Sequence, residues 1–143
     1  MPKATTPSTA TAPFTANVPS APASHAAINL AHKFSLIDAL WQPRVVAEMN
    51  GYQFKLARID GEFIWHCHAD TDEAFFVVQG RLRIELRDGD LELNAGEMFV
   101  VPRGTEHRPC ALGEVWLMLV EPRGVLNTGD SGGERTAPND RWV

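Results

Sequence analysis

Alternation with a period of two dominates the middle of this chain. Arg81-Leu82-Arg83-Ile84-Glu85-Leu86-Arg87 swaps charged and aliphatic residues without a break, the mark of a strand with one face buried and one in water. Its three arginines read as surface charges rather than a phosphate site. Arg44 to Met49 and Tyr52 to Asp60 read as paired strands around Asn50-Gly51, two residues that tolerate positive φ and favour a tight hairpin. Asp60-Gly61 reads as a second turn of this kind. Ala74 to Val78 is a short apolar run, followed by turn signals at Gln79-Gly80, Asp88-Gly89 and Asn94-Ala95-Gly96. Val115 to Val120 is apolar throughout, as expected of a strand covered on both sides. Strands parted by turns at such regular spacing predict an all-β domain, either an antiparallel barrel or a double-sheet jelly roll.

Both ends depart from this pattern. Residues 1–27 are dominated by Ala, Thr, Pro and Ser, which bury too little surface to order a chain, so a disordered tail is expected. No apolar core of a secretory signal follows Met1-Pro2-Lys3. From Ile28 the chain turns apolar, and Ser35 to Trp41 is expected to form a short helical turn with Ser35 as N-cap. Pro43 discourages helix at Gln42. Phe34, Leu36, Leu40 and Trp41 are expected to pack on the barrel or on a partner subunit. Residues 122–143 read as a loop-rich tail lying across the barrel, with Trp142 as its anchor. The barrel domain is thus expected over 28–121.

Composition narrows the function classes. A chain of 143 residues fits one domain. A net charge of -5 argues against general nucleic-acid binding. No apolar run approaches the roughly 18 residues of a membrane-spanning helix. Cys67 and Cys110 make no disulfide framework, which points to two reduced thiols in a cytoplasm. By alternation Cys110, three positions past His107, faces away from it and is not taken as a ligand.

The chemistry gathers in Gly61 to Gly80. On a strand, residues i and i+2 share a face, so His66 and His68 can aim both imidazoles at one ion while Cys67 points away. Ala69-Asp70-Thr71-Asp72 is a polar link, after which Glu73 can return to the same point from a neighbouring strand; its bland alternative is a surface acid opening that strand. Two neutral nitrogens and a carboxylate oxygen suit a divalent transition metal. Pro102-Arg103-Gly104 is a turn between two strands, and His107 lies just past it.

In these stretches the chain resembles the cupin superfamily. His-x-His, four residues, Glu73, six residues, Gly80 is similar to the family's first motif, over residues 61–80. Gly96, five residues, Pro-x-Gly, two residues, His107 is similar to its second, over 96–111, with 15 residues between Gly80 and Gly96. Two positions differ from the usual pattern: four residues rather than five separate Gly61 from His66, and Ala111 stands where the second motif usually ends in Asn. The resemblance covers roughly residues 45 to 121. It implies a single-domain cupin-type antiparallel β-barrel (double-stranded β-helix or jelly roll) with a short N-terminal helical segment. It also implies His66, His68, Glu73 and His107 as ligands of one divalent transition metal (Fe, Mn, Ni, Zn or Cu). Four protein ligands on an ion that prefers six leave positions for substrate, and the neutral histidines that ligation needs imply weaker occupancy below about pH 6.

Two functions follow as expectations. The first is a metal-dependent enzyme of dioxygenase, isomerase or lyase type acting on a small oxygenated metabolite, with Glu73 doubling as a base. The second is a non-catalytic metal-dependent module that binds or senses a small molecule. Glu97, Glu106 and Tyr52 are conceivable helpers, each read as structural. The resemblance also implies a homodimer, with Phe34, Leu36 and Trp41 supplying its contact.

Overall fold

The computed structural model describes residues 25–143. The tail expected over 1–27 lies, up to residue 24, outside the described residues. Helix α1 (Leu30–Ser35) precedes seven strands: β1 (Arg44–Met49), β2 (Tyr52–Glu62), β3 (Glu73–Gln79), β4 (Arg81–Leu86), β5 (Leu91–Asn94), β6 (Met98–Val101) and β7 (His107–Pro122). The Asn50-Gly51 turn joins β1 to β2, as its dipeptide chemistry predicts. All named pairings are antiparallel, in the order β1-β2-β7-β3-β6, with β4 joining β5 to the first part of β7.

The long strand β7 closes the structure. One edge pairs with β2 along most of its length, while the other pairs first with β4 and then with β3. A strand shared in this way curls the sheet into a barrel, which is the cupin-type all-β architecture that the turn spacing predicts. Gly80, which ends the first motif, sits at the change from β3 to β4. A Cβ there would lie 2.6 Å from the Glu114 carbonyl oxygen, and φ is +89. Both the close approach and the left-handed backbone call for glycine.

The barrel interior is lined by Phe75, Val77, Leu82, Ile84, Val115 and Leu117, each at most 2% exposed. A second apolar layer lies outside the sheet under α1, where Phe34 is fully buried and stacks on Trp116 at 4.8 Å between ring centroids. This layer explains the unbroken Val115 to Val120 run. Val115, Leu117 and Leu119 face the barrel core, while Trp116 and Met118 pack outward against the layer under α1.

Three expectations need correction. The N-terminal helix lies upstream of Ser35 to Trp41: Asn29 caps it by accepting from the His32 amide, and Ser35 ends it with a hydroxyl donated back to the His32 carbonyl. Burial of Phe34 fixes that position, and Trp41 leaves helical space with φ at +60. Asp60-Gly61 is no hairpin turn. Strand β2 runs on to Glu62 and stays paired to β7, with a register shift between Ile59 and Gly61 that marks a bulge. The C-terminal segment is anchored by backbone rather than by the Trp142 ring, which is 54% exposed. The Val45 amide donates to the Arg141 carbonyl, and the Val143 amide donates to that of Val45. No helix among the described residues is long and apolar enough to cross a membrane.

Candidate metal centre

The segment carrying His66 and His68 is extended but is not a strand. It touches the sheet through a single bridge, in which His66 and His107 exchange both backbone hydrogen bonds, at 3.0 and 2.9 Å. Its remaining backbone bonds go to loops. The Cys67 carbonyl accepts from the Asp130 amide and the His68 carbonyl from the Gly104 amide. The Ala69 amide donates to the Asp130 carboxylate at 3.0 Å. Outside, the Trp65 ring carries the Arg87 guanidinium 3.7 Å from its centroid. Glu73 opens β3 and His107 opens β7.

These elements bring four side chains to one point. His66, His68, Glu73 and His107 each offer a ligand atom, and the four atoms lie within 4.8 Å of one another. All four residues are buried, between 0% and 5% exposed. His66 Nδ1 lies 2.9 Å from the Ile64 carbonyl and His107 Nδ1 2.9 Å from that of Thr105. Donation from Nδ1–H to those carbonyls turns both Nε2 lone pairs inward. His107 Nε2 and His68 Nε2 then converge on one oxygen, Glu73 Oε2, each at 3.1 Å. His68 Nε2 makes no well-aligned hydrogen bond despite its burial. Lone pairs facing a carboxylate oxygen at that distance need a proton or a cation between them. The donor set, three imidazole nitrogens and one carboxylate, suits a divalent transition metal.

The electrostatics point the same way. Burial, with the nearby His107, pushes His66 down to about 4, which leaves it neutral at pH 7. Burial also opposes charge on His68, but the adjoining Glu73 carboxylate and the charges of Glu121 and Asp130 outweigh it and raise the group. Burial alone would raise Glu73; its hydrogen bonds with His107 and His68 overcome this and hold the carboxyl well below the usual range.

A small, mostly apolar pocket reaches His66 and Glu73. Its wall is apolar, with Trp41 and Phe63 stacked at 4.8 Å and an interplanar angle of 12°. The left-handed backbone of Trp41 is held by its amide on the Arg58 carbonyl, and its ring N–H donates to the Asp60 carbonyl. The C-terminal segment forms the rim. Gly129 packs so tightly on the metal-site loop that a Cβ would stand 2.2 Å from the Cys67 carbonyl oxygen. Asn127 lines the cavity and clamps the loop beyond it, donating to the Arg135 carbonyl and accepting from the Ala137 amide, both at 2.9 Å.

The proposed helpers lie elsewhere. Glu97 accepts from Asn94 in a turn, Glu106 pairs with Arg87 on the surface, and Tyr52 is 48% exposed on the outer face. Cys67 and Cys110 are both free thiols, and neither joins the ligand group. Sequence reasoning passes over a polar group inside the barrel. Lys55 pairs with Glu121 at 2.8 Å, with side chains 4% and 1% exposed, and Gln53 is fully buried beside them. Lys55 Nζ also donates to the Val125 carbonyl at 3.0 Å, whereas Glu121 Oε2 has no partner. Burial and the Glu73 charge raise Glu121 to about 8, even against Lys55.

Comparison with known proteins supplies the lineage. A family model described as a cupin domain matches residues 55–121. The crystal structure of a cupin-2 domain containing protein from Shewanella frigidimarina is similar at 56% identity and TM-score 0.66, covering 67% of this chain and 94% of that one. Protein NMB1881 from Neisseria meningitidis is similar at 34% identity and TM-score 0.63, covering 68% and 99%. Protein YdbB of Bacillus subtilis (strain 168) is 39% identical over 64 residues, 44% of this chain, and the match spans 57% of that protein's length.

Proposed function

Because this chain belongs to the cupin superfamily, we propose that it holds one divalent transition metal through His66, His68, Glu73 and His107. On this reading it is a metal-dependent enzyme of dioxygenase, isomerase or lyase type acting on a small oxygenated metabolite. The observation that carries the reading is four buried ligand atoms within 4.8 Å of one another, two of whose residues, His66 and Glu73, line an apolar pocket.

When bound, such a metal supplies Lewis acidity toward a carbonyl or water. The chain's own residues do the rest. Ile64 and Thr105 carbonyls fix the tautomers of His66 and His107, so their Nε2 lone pairs are set before a ligand arrives. The Trp41–Phe63 stack gives a flat body an apolar wall and excludes water from it. Glu73 is held by two imidazoles and kept ionised, which suits a ligand better than a mobile base.

One feature favours the second reading, a binding or sensing module. Among the described residues, the cavity wall offers no acid or base beyond His66 and Glu73. Elemental analysis of protein purified without chelator or nickel resin, beside a His66→Ala, His107→Ala double variant, tests the site. About one metal per chain, lost in the variant, is expected; no metal, and no uptake on reconstitution, overturns it. Oxygen consumption and product formation over a panel of diketones, flavonols, sugar phosphates and keto acids then separate turnover from binding.

A homodimer belongs to the same proposal, by a different contact from the one expected. Phe34 is fully buried within its own chain and Trp41 lines the cavity, which leaves only Leu36 of the expected set exposed, at 51%. Instead Ala74 and Phe76 of β3 lie beside Val100 and Met98 of β6, in register on the outer face. Met98 and Val100 are 56% and 44% exposed, and β6 ends the strand order. An apolar face at a free edge suits a second copy of this chain. Sedimentation equilibrium giving a monomer at high concentration excludes it. A cytoplasmic setting, in keeping with the free thiols Cys67 and Cys110, completes the reading.

A further inference from the structure

Resting on the metal-site reading above, we propose that Arg135 selects a ligand bearing a negative charge at the end away from the metal. The ligand class is a small, flat organic anion with chelating oxygens at one end and a carboxylate at the other. Arg135 belongs to the rim loop, yet its guanidinium lies over the cavity's aromatic wall, 4.8 Å from the Phe63 ring and 5.4 Å from the Trp41 ring. Stacking on rings spares a guanidinium little of its need for hydrogen bonds, because its donors point outward in the ring plane.

Those donors meet no counter-charge. Among the described residues no carboxylate lies within ion-pair distance of Arg135. Arg58, Arg108 and Arg123, by contrast, pair with Glu114, Glu85 and Glu48. The loop is nevertheless held firmly. Asn127 clamps the Arg135 carbonyl and the Ala137 amide, and Thr136 shares a 2.7 Å hydroxyl hydrogen bond with Thr128, which is fully buried. Asp130, earlier in the same segment, is bonded to the loop between His66 and Glu73. The Arg135 side chain is exposed, and its guanidinium is an unmatched positive charge beside Trp41 and Phe63, two rings of the apolar wall that also includes His66 and Glu73.

The span from the metal ligands to Arg135 is short. The Phe63 ring centroid lies 5.4 Å from that of His66 and 4.8 Å from the Arg135 guanidinium. Those two distances set an upper limit on the separation of His66 from Arg135, and a benzene ring substituted at opposite ends is short enough to lie within it. A carboxylate reaching the guanidinium gains a bidentate, charge-assisted contact, while the ring body lies along Trp41 and Phe63.

The test is calorimetric titration of zinc-loaded protein with 3,4-dihydroxybenzoate and with 3,4-dihydroxybenzamide. The two share the chelating end and the ring and differ in charge at the far end. The wild type is expected to bind the acid about tenfold more tightly than the amide, with a preference that shrinks as salt rises. Arg135→Gln should abolish the preference by weakening the acid alone, Arg135→Lys should restore part of it, and zinc content should stay the same in all three. Equal binding of acid and amide by the wild type overturns the inference. So does an equal loss for both probes in Arg135→Gln, which would make Arg135 a mere cover on the wall. Failure of zinc-loaded protein to bind either probe would instead sink the metal-site reading on which the inference rests.

Discussion

Glu121 should make this protein less stable as pH rises through neutrality, and a single substitution should remove the effect. Its carboxyl lies inside the barrel, 1% exposed, with one oxygen on Lys55 and the other without a partner. An oxygen that no donor reaches is poorly stabilised as an anion, which favours the neutral carboxyl. Burial, then the charge of Glu73, lifts the group from 4.5 to about 8. Between those values the folded chain keeps a proton that the unfolded chain has released. Its stabilising contribution is therefore complete below about pH 4.5 and is lost as pH climbs through 8. At about 1.4 kcal/mol per pH unit, the full span is worth on the order of 5 kcal/mol, of which roughly 1–2 kcal/mol falls between pH 6.5 and 8. His66 works in the opposite sense, because a depressed histidine gains stability with rising pH, but only between about 4 and 6.5. His68, raised, has the same sign as Glu121 and is common to both proteins compared. The assay is urea unfolding of metal-free protein at steps from pH 6.5 to 8.5, wild type against Glu121→Gln. Gln keeps an oxygen for Lys55 but cannot titrate. The wild type should lose stability across the window more steeply than the variant, which keeps only the slope that His68 contributes to both. Parallel curves for the two proteins would refute the assignment of the buried proton to Glu121.

Three further outcomes are expected. Zinc uptake by metal-free protein should weaken as pH falls, because the raised His68 must shed its proton while His66, at about 4, does not compete; an affinity that is flat from pH 8 to 5 would contradict this. Gly129→Ala should destabilise by about 2 kcal/mol or more and lower zinc affinity, since its Cβ would meet the Cys67 carbonyl at 2.2 Å with φ at +56; chemical unfolding and zinc titration read the two effects. Phe34→Ala, removing a fully buried ring stacked on Trp116, should cost about 3–5 kcal/mol in chemical unfolding while leaving metal content unchanged.

The legible parts of this chain are those set by local chemistry. Asn50-Gly51 makes its hairpin from its own dihedral preferences, and Arg81 to Leu86 alternates as a half-buried strand wherever its partners lie. His66 and His68 converge although their segment is no strand, because extended backbone alone is enough to put i and i+2 on one side. Local chemistry misleads at Asp60-Gly61. A bulge and a turn use the same dipeptide, and the choice is made by β7, far along the chain, whose Ala111 and Cys110 pair with Gly61 and Glu62.

The polar barrel interior is a different failure. Along β2, Gln53, Lys55, Ala57 and Ile59 share one face, while Phe54 and Leu56 lie on the other. With apolar residues on both, alternation cannot say which face is core. The reversal becomes visible only once α1 covers Phe54 and Leu56 from outside and Glu121 comes to meet Lys55 from inside. The cavity's rim is the most remote case. Trp41 arrives from before the barrel and Arg135 from after it, and they meet over Phe63 because the segments flanking the barrel on each side fold onto the same wall. No periodicity links residues so far apart, so the features that set ligand choice here are the ones the chain writes least locally. That is the physical reason a fold and a ligand set can be read from spacing while specificity has to be read from contacts.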